Sequence, residues 1–263
     1  VSLENYLDKL WSGYIQLNPE AQKIHSLFQE RGETVQNDHI AMRTFDRGPF
    51  SNSALLPVFE KFGYKVGGDY SFEQKKLNAV HLEPENPIHP KIFMSEMRVG
   101  EFSPFAQQTI DDILEEAKAV PASEIINRSR PWAADYKTYQ ALAEESEYAS
   151  WLYAYGIQVN HFTVFFNALK TFKNLDELNQ WLLSEGFVMN TSGGMIKGTP
   201  QDLLEQSSTM APKIAVDFTE GSFEIPGCYY EFAKRHEDAS GKLFQGFVTK
   251  SADKIFESTF QKS

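Results

Sequence analysis

Asp38-His39-Ile40-Ala41-Met42-Arg43-Thr44-Phe45 and Val159-Asn160-His161-Phe162-Thr163-Val164-Phe165-Phe166 decide the fold, because each opens the same succession of elements. Both stretches are rich in β-branched and aromatic residues and leave no room for a long helix before the next turn signals, so both read as strands. A helix follows each, from about Ser53 to Phe62 closed by Gly63, and from Leu175 to Glu185 closed by Gly186. His39 to Gly63 is 24 positions and His161 to Gly186 is 25, and Lys61-Phe62-Gly63-Tyr64 corresponds to Ser184-Glu185-Gly186-Phe187. Short strands come next in the first half, around Tyr70-Ser71-Phe72, Asn78 to Leu82 and Lys91 to Arg98. In the second half they are expected around Gly194 to Lys197, Gln206 to Met210, Lys213 to Phe218 and Gly227 to Lys234. An α+β fold of two βαβββ modules, approximately 36–99 and 157–235, accounts for this order. Neither module buries both faces of its sheet alone, so the pair is expected to enclose one shared cavity.

Outside the repeat the chain is helical. Leu3, Tyr6, Leu7, Leu10, Trp11, Tyr14 and Ile15 recur at helical spacing, and Asn18-Pro19 caps a second helix that Gly32 ends, giving a helical amino-terminal segment over 1–32. Ser103-Pro104 to Val120 and about Ala133 to Tyr155 form a helical connector over 103–155. Residues 1–263 are thus expected to make a single domain, within the size one core supports.

Composition narrows the function. With 25 Lys+Arg against 36 Asp+Glu the net charge is −11, and no basic cluster offsets it, which argues against a nucleic-acid partner. No stretch reads as a membrane span or a secretion signal. The one cysteine, Cys228, allows neither an internal disulfide nor a thiolate zinc site, so a reduced compartment is expected, the cytoplasm by default. The sequence assigns no oligomeric state.

Alternation along the strands sorts the side chains that could carry chemistry. His39, Ala41, Arg43 and Phe45 share one face of the first repeat strand, and Val159, His161, Thr163 and Phe165 share one face of its counterpart. A histidine therefore occupies the same place in both repeats, and pseudo-twofold packing brings the two together. Tyr229, Glu231 and Ala233 share a face of the last strand, so Glu231 can meet both imidazoles. Two neutral imidazoles and a carboxylate suit a divalent transition metal, and with open positions they match the facial triad of non-haem Fe(II) oxygenases. The alternative is that each histidine is a surface or hydrogen-bonded core residue. Arg43 lies about 13 Å along the strand from His39, at ~3.3 Å per residue, so a small dicarboxylate could chelate the metal at one end and take the Arg43 fork at the other. A salt bridge to an interior carboxylate such as Glu96 would explain Arg43 equally well. Glu96 itself is a candidate fourth ligand or hydrogen-bond acceptor beside the metal.

These residues, together with Gly193-Gly194-Met195-Ile196-Lys197-Gly198, Gln206-Ser207-Ser208-Thr209-Met210-Ala211 and Ile225-Pro226-Gly227-Cys228-Tyr229-Tyr230-Glu231-Phe232, resemble the 2-oxoadipate dioxygenase/decarboxylase family, relatives of the vicinal-oxygen-chelate fold. The resemblance covers about residues 35 to 240. It implies Fe(II) held by His39, His161 and Glu231, with Arg43 as the catalytic anchor of the substrate carboxylate. It further implies that a 2-oxo acid and O2 are converted to the one-carbon-shorter 2-hydroxy acid and CO2, 2-oxoadipate giving 2-hydroxyglutarate, a step of lysine catabolism. Lys197, Gln206 and Ser208 are further candidates for polar substrate contacts, with solvated loop or strand positions as the alternative.

Two other motif fragments fail. His236-Glu237 lacks the second histidine of a zinc-protease helix, because position 240 is Ser, and Gly193 to Thr199 lacks the glycine order of a phosphate-binding loop. Two other functions fit the same fold: an O2-independent metal isomerase or lyase of the glyoxalase type, and a non-catalytic small-molecule-binding protein with structural histidines.

Overall fold

The computed structural model describes residues 2–126, 128 and 130–259. Helices α1 (Leu3–Leu17) and α2 (Pro19–Glu30) start at side-chain caps, Ser2 accepting from the Asn5 N–H and Asn18 from the Ala21 N–H. The first module follows as β1 (Asn37–Phe45), α3 (Asn52–Glu60), β2 (Lys65–Phe72), β3 (Leu77–Glu83) and β4 (Lys91–Met97). The connector comprises α4 (Pro104–Ala117), α5 (Ala122–Ile125), α6 (Tyr136–Glu145) and α7 (Glu147–Tyr155). Next come β5 (Val159–Phe165), α8 (Leu175–Ser184), β6 (Leu204–Ser208), β7 (Lys213–Phe218), β8 (Gly221–Pro226), β9 (Tyr229–Arg235) and α9 (Thr249–Ile255). No described helix is long and apolar enough to cross a membrane.

Seven strands form one mixed sheet in the order β2-β3-β4-β1-β5-β9-β6. Its centre is the antiparallel pair β1–β5, in which Ile40 faces Phe162, His39 faces Thr163 and Ala41 faces His161. That register puts a local twofold at the Ile40–Phe162 pair and makes His39 and His161 equivalent. Each half then adds a parallel neighbour, β4 beside β1 and β9 beside β5.

Period-two alternation splits the buried residues between the two faces. On one face, Trp11 and Tyr14 pack on Phe162, Phe28 packs on Phe232, and Asn179 of α8 accepts a hydrogen bond from Ser207. On the other face lie His39, Arg43, His161 and Glu231, covered by α7 and by the carboxyl-terminal segment, whose Phe247 ring packs on His39 and Phe93.

Three local features depart from the sequence expectation. Gly194 to Lys197 is not a strand; it contributes a single bridge, Lys197 to Gln206, because Gly193, Gly194 and Gly198 all take positive φ. At Gly198 a side chain would also collide with the Leu204 carbonyl. Lys213 to Phe218 is a strand but lies outside the main sheet; it pairs with β8 across Thr219-Glu220 and docks Phe218 and Phe223 against Tyr136. The expected helix from Ala133 to Tyr155 is two helices, divided at Ser146, which ends α6 and caps α7 through the Ala149 N–H.

Candidate metal centre

His39 on β1, His161 on β5 and Glu231 on β9 converge on the covered face, with one potential ligand atom from each lying within 4.8 Å of the others. All three side chains are buried. The sheet register accounts for the meeting: Glu231 faces Thr163, Thr163 faces His39, and His161 stands two residues before Thr163 on the same side.

Each imidazole is oriented by the residue before it. Asp38 Oδ1 lies 2.8 Å from His39 Nδ1, and Asn160 Oδ1 lies 3.1 Å from His161 Nδ1. These acceptors place the proton on Nδ1 and leave both Nε2 lone pairs directed inward, the arrangement that metal-binding histidines adopt. Asp38 is in turn gripped by Arg235, Nε to Oδ2 at 2.6 Å and Nη2 to Oδ1 at 2.8 Å. Burial alone would raise the Asp38 carboxyl, but the Arg235 charge and the His39 N–H outweigh it and hold the group well below the usual carboxylate range.

The remaining groups are neutralised rather than paired. Burial pushes His39 below its ordinary value despite Asp38, and pushes His161 well below it, with the His39 and Arg43 charges adding to the effect. Burial likewise pushes the Glu231 carboxyl up to about 8, against a 2.6 Å hydrogen bond that Gln206 Nε2 donates to Oε1. Glu231 Oε2 accepts no hydrogen bond among the described residues and lies 3.2 Å from His161 Nε2. Two lone-pair atoms at that distance need a positive centre between them, a proton or a metal ion. The donor set of two neutral imidazole nitrogens and one carboxylate suits a divalent transition metal.

Arg43 shares this face, but its partner is not Glu96. Its Nη1 donates to Glu147 Oε1 at 2.7 Å and its Nη2 to Thr259 Oγ1 at 3.0 Å. Glu96 projects from the other face of β4, where it accepts the Asn52 N–H at 2.8 Å, so it is neither a fourth ligand nor the counter-ion of Arg43. Lys197, Gln206 and Ser208 are all buried, which removes the solvated alternative for them. Ser208 bonds Ser258 at 2.8 Å, and Lys197 Nζ donates to the Asn190 carbonyl at 2.5 Å. Burial lowers the Lys197 ammonium to about 8 despite attraction from Glu231 and Glu257.

Sequence reasoning missed Asp38, Asn160, Arg235, Glu147 and Thr259. The first two carried a signal, since a hydrogen-bond acceptor directly precedes each repeat histidine. Glu147 and Thr259 carried none, because they come from the connector and the carboxyl-terminal segment.

Known proteins share this arrangement of elements. Residues 122–243 match the family of 2-oxoadipate dioxygenase/decarboxylases. The chloroplastic 2-oxoadipate dioxygenase/decarboxylase of Arabidopsis thaliana is 32% identical over 292 residues, covering 97% of this chain and 77% of the relative. The chain belongs to the 2-oxoadipate dioxygenase/decarboxylase family. Among solved structures, the hydroxyglutarate synthase from Oryza sativa, in complex with 2-oxoadipate, superposes with a TM-score of 0.87 at 30% identity, covering 96% of this chain and 90% of that one. A protein from Shewanella frigidimarina with a provisional hydrolase designation superposes with a TM-score of 0.88 at 47% identity, covering 94% and 97% of the two chains. A structure from Ralstonia eutropha with a provisional glyoxalase-superfamily designation shares the fold, 18% identical with a TM-score of 0.70 and covering 90% of this chain and 83% of that one.

Proposed function

We propose that this protein is an Fe(II)-dependent dioxygenase/decarboxylase that converts a small 2-oxo dicarboxylic acid of the 2-oxoadipate kind, with O2, to the one-carbon-shorter 2-hydroxy acid and CO2. The carrying observation is the buried meeting of His39, His161 and Glu231, with Glu231 Oε2 accepting no hydrogen bond among the described residues, on the sheet face that also bears Arg43. Membership of the family and the 2-oxoadipate complex of the rice relative support the substrate class. The balance closes on the substrate alone: 2-oxoadipate and one O2 give 2-hydroxyglutarate and CO2, with every carbon, hydrogen and oxygen atom accounted for, so no second oxo acid is consumed.

In this proposal His39, His161 and Glu231 hold the metal, and iron when bound supplies a Lewis-acid and one-electron partner for the 2-oxo acid and O2. Asp38 and Asn160 keep the two Nε2 atoms deprotonated and aimed inward. Gln206 fixes Glu231 through Oε1 and leaves Oε2 free for the metal, while its own Oε1 has no partner among the described residues and is available to accept from the hydroxyl of the 2-hydroxy acid product. Arg43 takes the carboxylate at the far end of the substrate; Lys197 adds positive charge, and Ser208 is a polar contact on the same face. The covering segment excludes water from the reacting groups, which strengthens each of these electrostatic contacts. The single cysteine, Cys228, is buried and keeps a reduced compartment the expectation, while the Arabidopsis relative is named as chloroplastic, so cytoplasm is not a family trait.

Substrate labelled with 13C at its first carbon tests the reaction. Aerobic, Fe(II)-loaded protein is expected to release labelled CO2 and leave unlabelled 2-hydroxyglutarate. Release that continues without O2 would point instead to a non-oxidative lyase.

A further inference from the structure

Arg43 is both the proposed anchor and an already occupied one. Its guanidinium is buried, packed 4.9 Å from the Tyr148 ring centroid and 5.2 Å from that of Trp151. A buried cation needs a counter-ion, and Glu147 Oε1 supplies it at 2.7 Å from Nη1. Nη2 is taken by Thr259, and Nε has no partner among the described residues. A carboxylate is gripped best through two parallel N–H groups. With Glu147 on Nη1, the guanidinium charge is already compensated, so a second carboxylate meets a paired cation rather than a free one while Glu147 stays.

We infer that Glu147 is an internal stand-in for the substrate's distal carboxylate, holding Arg43 until that carboxylate displaces it, and that this exchange selects dicarboxylic over monocarboxylic 2-oxo acids. The inference rests on the proposed role of Arg43. Glu147 is built to leave: its side chain is 23% exposed against 2% for Arg43, and it sits in the first turn of α7, directly after the break at Ser146. Its exposed side lines an opening of about 290 Å³, with Lys75, Lys76, Tyr148 and Phe256 around it. Lys75 and Lys76 offset Glu144 and Glu145 in the same lining, so the mouth does not add to the repulsion that a chain of net charge −11 presents to a dianion.

Exchanging one carboxylate for another preserves the buried ion pair, so a dicarboxylate enters without leaving a buried charge unpaired. A 2-oxo acid with an apolar tail offers no replacement; Glu147 stays, and the tail has only an occupied ion pair to meet. Discrimination thus comes from competition as well as attraction.

Direct binding to anaerobic Fe(II)-loaded protein, measured by calorimetry for 2-oxoadipate and for 2-oxohexanoate, tests the exchange. Glu147→Gln removes the competing charge and is expected to tighten 2-oxoadipate roughly tenfold, the scale of one charge-assisted hydrogen bond, while moving 2-oxohexanoate little. Glu147→Asp, which shortens the reach to Arg43, is expected to shift affinity the same way and serves if the first variant does not fold. Weaker 2-oxoadipate binding in either variant would make Glu147 a clamp that orders Arg43 and would overturn the exchange, as would equal shifts for both ligands. Arg43→Lys separates the underlying reading: undiminished 2-oxoadipate affinity there would remove Arg43 as anchor, whereas loss of affinity with no tightening in the Glu147 variants would defeat the exchange alone.

Discussion

Glu231 Oε2 and His161 Nε2 face each other at 3.2 Å, and Oε2 accepts no hydrogen bond among the described residues. With the imidazole proton committed to Asn160, the two lone pairs can coexist only around a proton or a metal ion. The buried triad therefore requires a positive centre, a requirement that metal content, pH dependence and oxygen chemistry each test.

Metal content should depend on each ligand separately. His39→Ala, His161→Ala and Glu231→Gln are each expected to purify without the metal that wild-type protein retains after Fe(II) loading and gel filtration. Elemental analysis reads the outcome, and full occupancy in His39→Ala would make that histidine structural.

Stability of the metal-free protein should fall as pH rises from about 6.5 to 8. Burial lifts the Glu231 carboxyl from 4.5 to about 8, so in that window the folded state holds a proton that the unfolded state has released. The buried imidazoles act in the opposite direction, but their values lie below 6.5, so their contribution rises with pH only up to that point. Lys197, lowered to about 8, also opposes the trend, but only at the upper end of the window, so the Glu231 slope dominates between the two pH values. Urea midpoints at pH 6.5 and 8 should therefore differ in wild type and converge in Glu231→Gln. Added Zn(II), which holds the ionised carboxylate, should stabilise wild type more at pH 8 than at pH 6.5.

Asp38 should matter for both folding and metal affinity. Asp38→Ala leaves the buried Arg235 guanidinium without its carboxylate, an expected loss of about 3–5 kcal/mol by chemical denaturation. His39 also loses the acceptor at Nδ1, and metal affinity measured by chelator competition is expected to weaken about 10–100-fold. Wild-type affinity in a folded Asp38→Ala protein would show that the imidazole needs no such support.

Removal of the guanidinium should separate substrate from metal. Arg43→Ala is expected to keep its iron and to raise KM for 2-oxoadipate by on the order of a hundredfold, the scale of two charge-assisted hydrogen bonds. An unchanged KM would move the anchor elsewhere, with Lys197 the next residue to test.

The central strands and the triad were legible in the sequence because they obey short-range rules. Period-two alternation put His39 with Arg43 and Glu231 with Tyr229 and Ala233, and the near-equal spacing from each histidine to the glycine after its helix exposed the repeat. Structure set by long-range pairing was not legible. β7 has ordinary strand composition, and only its local partner across Thr219-Glu220 takes it out of the main sheet. Ser146 divides a helical run without a glycine or proline to announce it, and that break puts Glu147 beside Arg43. Glu147, 104 residues from Arg43 in the chain, and Thr259, 216 residues away, meet it through tertiary packing that no local pattern encodes.

Oxygen uptake tests the account most directly. Protein loaded anaerobically with Fe(II), given 2-oxoadipate and then a measured amount of O2, is expected to consume one O2 for each 2-hydroxyglutarate formed, with no uptake in Glu231→Gln. Turnover of the 2-oxo acid without O2 consumption, or uptake undiminished in Glu231→Gln, would contradict an oxygen chemistry seated at His39, His161 and Glu231.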